Sequence, residues 1–191
     1  MAINLLEQVQ QKLNYQPLHK IEIIEVDPNI EANVVISDTK QFEQAAIPTV
    51  LIGLATFTRH NKNIEKLIAA VNKDTLMQQI FATATNEVVT KVATYASTNE
   101  ADTKLKMNDI ADTAITIMQQ TLPTTKTDND IINFFEEQKP DILKYLPTEM
   151  HIGLTIENNV IDDATHKMDG PISGLMHALE NTFSTTEIKT T

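Results

Sequence analysis

Cysteine is absent from this 191-residue chain. That absence excludes disulfides, thiolate metal sites, cysteine nucleophiles and iron–sulfur clusters. Tryptophan is missing too, and aromatic residues make up only 5%, so stacking platforms for bases or sugars are not expected. The four glycines form neither a GxGxxG fingerprint nor a Walker A loop, the backbone devices that cradle phosphates. Arg59 is the only arginine, which leaves almost nothing to build a bidentate clamp on phosphate or carboxylate.

Basic charge is scarce overall. Lysine and arginine number 15 against 26 acids, for a net charge of -11. A field of that sign repels polyanions and anionic lipid, so neither nucleic acid nor membrane is expected as a partner. No run reaches the roughly 20 apolar residues that a spanning helix needs. The most apolar stretch, Ala45 to Phe57, contains Pro48 and Gly53 and reads as a buried core helix. The N-terminal Met1-Ala2-Ile3-Asn4-Leu5-Leu6 lacks the basic region and long apolar run of a signal peptide. A cytoplasmic location is the expectation.

What is present is an ordinary globular balance, 41% hydrophobic and 21% charged, in a chain long enough to bury a core without staples. Most of it carries helical periodicity. Leu5, Leu6, Val9 and Leu13 predict an amphipathic helix over residues 3–14, ended by Pro17. The next stretch differs. Ile21, Ile23, Ile24 and Val26 precede Asp27-Pro28-Asn29, and Val34-Val35-Ile36 follow. β-Branched residues around a turn signal suggest a small N-terminal hairpin within residues 19–37.

Helical spacing then resumes. Phe42, Ala45, Ala46, Val50, Leu51 and Leu54 trace one stripe, which Pro48 is expected to kink or restart. Ile64, Leu67, Ile68 and Val71 make a short helix. Leu76, Ile80, Phe81, Ala84, Val88, Val92 and Tyr95 form the longest pattern, predicting one continuous core helix with Asp74 as its N-cap. Ser97 to Lys104 is polar and reads as a loop, and Met107 to Met118 as the next helix, stopped near Pro123. Residues 124–130 are the best linker. Ile131 to Phe135 follow as helix, with Pro140-Asp141 starting another short one and Pro147-Thr148 a third. Val160, Ile161, Ala164 and Met168 form a further stripe. After Gly170-Pro171 comes a last one of Ile172, Leu175, Met176, Leu179 and Phe183.

The expected fold is all-α, an antiparallel multi-helix bundle, with the small N-terminal hairpin as an addition. Residues 1–183 are read as a single domain, with a division near 123–130 as the alternative, and residues 184–191 as a polar tail.

One constellation carries chemistry. Asp162 and His166 are four apart, Asp163 and His166 three apart, and His177 and Glu180 three apart. On helices, such spacings share a face. If the Gly170-Pro171 turn folds the two segments together, nitrogen and oxygen ligands converge that suit a divalent transition metal such as zinc, manganese or iron. His151 is a further ligand candidate. A plainer reading competes: acids at a helix start and a histidine near its end obey the helix dipole without any metal. Di-metal bundles also use Glu-x-x-His, whereas this chain has His177-x-x-Glu180 and no second copy. A calcium loop around Asp163 to Gly170 fails at Lys167, and no serine sits in a G-x-S-x-G elbow.

With no catalytic motif standing, the primary expectation is a non-enzymatic interaction or scaffold module that binds a protein partner or itself. The alternative is a metal-dependent enzyme or metal-binding protein using Asp162, Asp163, His166, His177 and Glu180.

Overall fold

The computed structural model describes residues 4–21, 41–61 and 72–155, together with Ile64 and Ile68. Helix α1 spans Leu5–Lys12. The Asn4 side chain caps it by accepting from the Glu7 N–H, satisfying a donor that has no partner within the helix. The helix stops short of Pro17, at Asn14 with φ 54°, a left-handed conformation that Asn tolerates.

Helix α2, Phe42–His60, continues through Pro48, so of the kink or restart expected there the restart does not occur. A proline in a helix interior forfeits one backbone bond and costs about 3 kcal/mol. Ile47, Val50, Leu51, Ile52, Leu54 and Ala55 are all buried around it. Each such side chain contributes roughly 1.5–3 kcal/mol on burial, so packing outweighs the local penalty. α2 is the central element. It packs most extensively against the helix at Asp128–Leu143 and also touches α1 and the helices at Leu76–Phe81, Thr85–Ala96 and Glu100–Thr121.

The predicted Leu76–Tyr95 helix is two helices. α3 covers Leu76–Phe81, a 3₁₀ turn covers Ala82–Ala84, and α4 covers Thr85–Ala96. α5, Glu100–Thr121, begins inside the stretch read as a loop, because the Asn99 side chain accepts from the N–H groups of Ala101 and Asp102. α6, Asp128–Leu143, continues through Pro140, where the sequence suggests a new start. Beyond it lie a 3₁₀ turn at Thr148–Met150, His151 in the left-handed region, and a helical turn at Ile152–Thr155.

The start of α6 is a capping box. The Asp130 N–H donates to the Thr127 hydroxyl, and the Asp130 carboxylate accepts from the Thr127 N–H at 2.7 Å. The Thr127 N–H first, and its hydroxyl second, hold the Asp130 carboxyl below its ordinary 3.8. A depressed carboxyl stabilises the fold fully above the unfolded value, and that contribution fades as pH falls through the lowered folded one. The amide signal of Thr127, which donates to the Asp130 carboxylate, should therefore be constant above about pH 5 and move mainly below Asp130's ordinary value. An NMR titration checks this, and movement between pH 5 and 7 would contradict it.

All regular structure among the described residues is helical, and no strand occurs there. The hairpin expected within residues 19–37 lies mostly outside them; the Ile21 N–H, at its described edge, donates to the Lys144 carbonyl at 2.7 Å. One continuous core joins buried side chains from Leu5 to Ile152, including Ile64 and Ile68. Among the described residues Leu105 is the one exposed large hydrophobic, at 59%. No helix among them is long and apolar enough to cross a membrane.

Candidate functional site

Asp162, Asp163, His166, His177 and Glu180, the candidate metal ligands of the sequence, lie outside the described residues. His151 lies within them. It is exposed, in the left-handed backbone region after the Thr148–Met150 turn. Among the described residues no group of three or more His, Asp or Glu side chains is placed to hold a metal ion. Elemental analysis of purified full-length protein tests the alternative directly. We expect less than stoichiometric transition metal, and stability changes within about 0.5 kcal/mol for His166→Ala and His177→Ala. One zinc, manganese or iron per chain, lost in either variant, would instead assign the metal site.

The structure directs attention to the break between α3 and α4. Gly53 sits in the middle of α2, where glycine costs about 1 kcal/mol relative to alanine. A Cβ there would lie 2.4 and 2.5 Å from the Phe81 ring and 2.9 Å from Ile80. Glycine is thus the residue that lets the Phe81 ring rest on the α2 backbone. Immediately after Phe81, Ala82 adopts φ 47°, ψ -118°, a conformation that costs a non-glycine residue on the order of 1–3 kcal/mol.

Buried polar side chains hold that strain in place. The Thr85 hydroxyl lies 2.7 Å from the Ala82 carbonyl and 3.2 Å from the Met77 carbonyl, and donates to them. From α5, Asn108 accepts from the Met77 N–H at 2.9 Å and donates to the Asp74 carbonyl at 3.3 Å. Both side chains are buried. The expected Asp74 cap is corrected here: the Asp74 N–H itself donates to the Asn72 side chain. Asn72 and Asn108 therefore serve the start of α3. A polar Asn on the apolar Met107–Met118 face was the sequence signal for this staple.

Beside the break opens a cleft of 590 Å³, within the range of roughly 300–1,000 Å³ typical of binding pockets. Gly53, Phe57, Ile80 and Phe81 supply its apolar side, and Thr56, Asn61, Gln79 and Thr83 much of its polar side. At one edge the Lys91 ammonium donates to the Thr155 hydroxyl at 2.6 Å and lies 3.5 Å from Glu87, while the Thr155 hydroxyl lies 3.0 Å from the Glu87 carboxylate. This polar latch ties the last described turn to α4. His60, also lining the cleft, directs Nδ1 to the Thr56 carbonyl at 2.9 Å; a carbonyl only accepts, so that nitrogen carries the proton. Glu87 and His60 are thus engaged in local bonds. A cleft with Phe57, Ile80 and Phe81 on one side and hydroxyl, amide, imidazole and carboxylate groups around them suits a segment that presents both an apolar side chain and polar groups.

A second cleft of 470 Å³ lies between α1 and Tyr145. Gln10, Gln11 and Asn14 give it a more amide-rich wall. Its Tyr15 phenol is pushed above the ordinary value by burial first, then by Asp109 and Glu43, and so stays neutral.

Ala82→Gly should raise stability by about 1 kcal/mol, since it relieves the positive φ and gives back part of that gain as unfolded-chain entropy. Urea midpoints check the sign. A lower midpoint would mean that the Ala82 conformation carries no strain.

No family model, curated protein or solved structure matches this chain.

Proposed function

We propose that this protein is a non-enzymatic helical interaction module, a cytoplasmic single-domain antiparallel bundle, and that the cleft beside the α3–α4 break receives a segment of a partner protein. One observation carries the reading: the fold maintains a strained, stapled break at Ala82, and that break forms the wall of the cleft. Strain of this kind persists only where the surrounding structure imposes it, and it clusters at binding and switching sites. The cleft suits a short apolar anchor, as when an amphipathic segment lays side chains into a groove.

The test places a photoreactive side chain at Gln79, on the cleft, and separately at Asn133, exposed on α6. A discrete protein adduct from position 79 that is absent at position 133 supports the module. Equal labelling at both positions, or no protein adduct at position 79, overturns it.

A further inference from the structure

We infer that the cleft between α1 and Tyr145 is a binding site for a small quaternary ammonium ion of the choline kind. It shares no lining residue with the cleft beside the α3–α4 break, so either site can fail without the other.

The walls of this cleft are tied together by the fold. α1 supplies Glu7, Gln10 and Gln11, and Asn14 and Tyr15 follow where the chain turns at positive φ. The Tyr15 N–H donates to the Gln10 carbonyl at 3.0 Å, and the Tyr15 ring lies 6.0 Å from that of Phe42. Tyr145 lines the opposite side. The buried Gln44 side chain joins the two walls, its nitrogen donating to the carbonyls of both His19 and Tyr145. The cleft volume of 470 Å³ falls in the range of roughly 300–1,000 Å³ for small-molecule sites.

The lining selects the charge of the ligand. Glu7 contributes a carboxylate, Gln10, Gln11 and Asn14 carboxamides, and Tyr15 and Tyr145 phenol rings. No lysine, arginine or histidine is among the described residues that line it. Lysines on neighbouring elements are engaged elsewhere. Lys12 donates to Gln120 at 3.0 Å, Lys106 lies 5.3 Å over the Phe42 ring, and Lys144 binds Asp141 at 2.6 Å. An anion therefore meets no opposite charge in the cleft. Burial first, then Asp109 and Glu43, keep the Tyr15 phenol protonated. A carboxylate field that disfavours phenolate favours a positive charge at the same place. The net charge of -11 acts in the same sense.

The kind of cation follows from the same side chains. A hard metal ion needs several oxygen ligands at once, and among the described residues Glu7 is the one carboxylate lining the cleft. Tyrosine faces instead attract organic cations through the ring quadrupole. Both rings are half-buried, so a ligand must shed water to reach them. An alkylated ammonium holds its water more weakly than a primary one and loses less on entering. The carboxamides are left to accept from a ligand hydroxyl.

Amide shifts of the full-length protein test this site. The titrants, at constant ionic strength, are choline chloride and its uncharged isostere, in which a tert-butyl group replaces trimethylammonium. We expect choline to move the signals of Glu7, Gln10, Gln11, Asn14 and Tyr15 to saturation, and the isostere to bind about tenfold more weakly. Glu7→Gln, at an exposed position, should weaken choline binding about threefold. Tyr145→Leu should weaken it about tenfold, whereas Tyr145→Phe, which keeps the ring face, should bind within about twofold of the parent. Equal affinity for choline and the isostere leaves a plain recess and overturns the site. Shifts that never saturate, or that spread evenly over the acidic surface, overturn it too. Unchanged affinity in Glu7→Gln, or equal affinity in Tyr145→Phe and Tyr145→Leu, does the same. The Glu7→Gln arm keeps the test decisive should Tyr145→Leu fail to fold.

Discussion

Phe135→Ala is expected to destabilise the protein by about 3–5 kcal/mol, the range for deleting a fully buried aromatic ring. Phe135 is 0% exposed and lies on α6, the helix that packs most extensively on α2. Its ring meets Phe134 edge-on, with centroids 5.3 Å apart at 89°, a geometry worth about 0.5–1.5 kcal/mol beyond the area buried. Truncation loses the transfer energy of the ring, this pairing, and the contacts of the atoms that lined it. Domains are stable by only about 5–15 kcal/mol, so the variant should melt much earlier while keeping its helical spectrum when cold. Phe134→Ala, at 8% exposure, should cost less. Urea unfolding of both variants measures this, and a loss below about 1 kcal/mol at Phe135 would place α6 off the core.

Gln44→Leu should cost about 2–4 kcal/mol through stranded backbone groups rather than a cavity. The Gln44 amide is buried in α2 and bridges three backbone sites. Its oxygen accepts from the His19 N–H at 2.8 Å, and its nitrogen donates to the carbonyls of His19 at 3.0 Å and Tyr145 at 2.7 Å. Leucine has nearly the same volume and none of these bonds. The His19 N–H should then exchange faster with solvent, which separates lost hydrogen bonding from lost packing. Gln44→Glu keeps the acceptor but sets a carboxylate against two carbonyls. It should be worse than leucine at pH 7, with the difference shrinking as the pH falls and the carboxyl takes up a proton. Stability of Gln44→Leu within about 0.5 kcal/mol of the parent would mean that this bridge is replaced by water.

The helical class was legible because apolar residues recur at helical spacing in nearly every segment, and burial of Leu5, Val9, Val88, Val92, Ile110 and Phe135 follows that pattern. Composition was legible as exclusion: a chain without cysteine and with one arginine closes off whole chemistries whatever its fold. The cleft was not legible. It depends on Gly53 meeting Phe81 and on Asn108 reaching Met77 across helices, and pairs so distant along the chain leave no local spacing to read. The Asp162–Glu180 constellation could be read for spacing only, since convergence is a property of how segments pack.

By itself, the sequence determined the helix-forming period, the residues available to a core and the net charge of -11, because these are local or additive properties. Only the tertiary structure decided where the helices are continuous. Pro48 and Pro140 are local breakers, yet α2 and α6 run through them. The Leu76–Tyr95 stretch has an unbroken local pattern, yet the chain turns at Ala82. A local preference is worth about 1–3 kcal/mol. Around α2 and Phe81 many apolar side chains are buried at once, and their sum exceeds any one preference. Packing therefore sets the breaks, and with them the cleft.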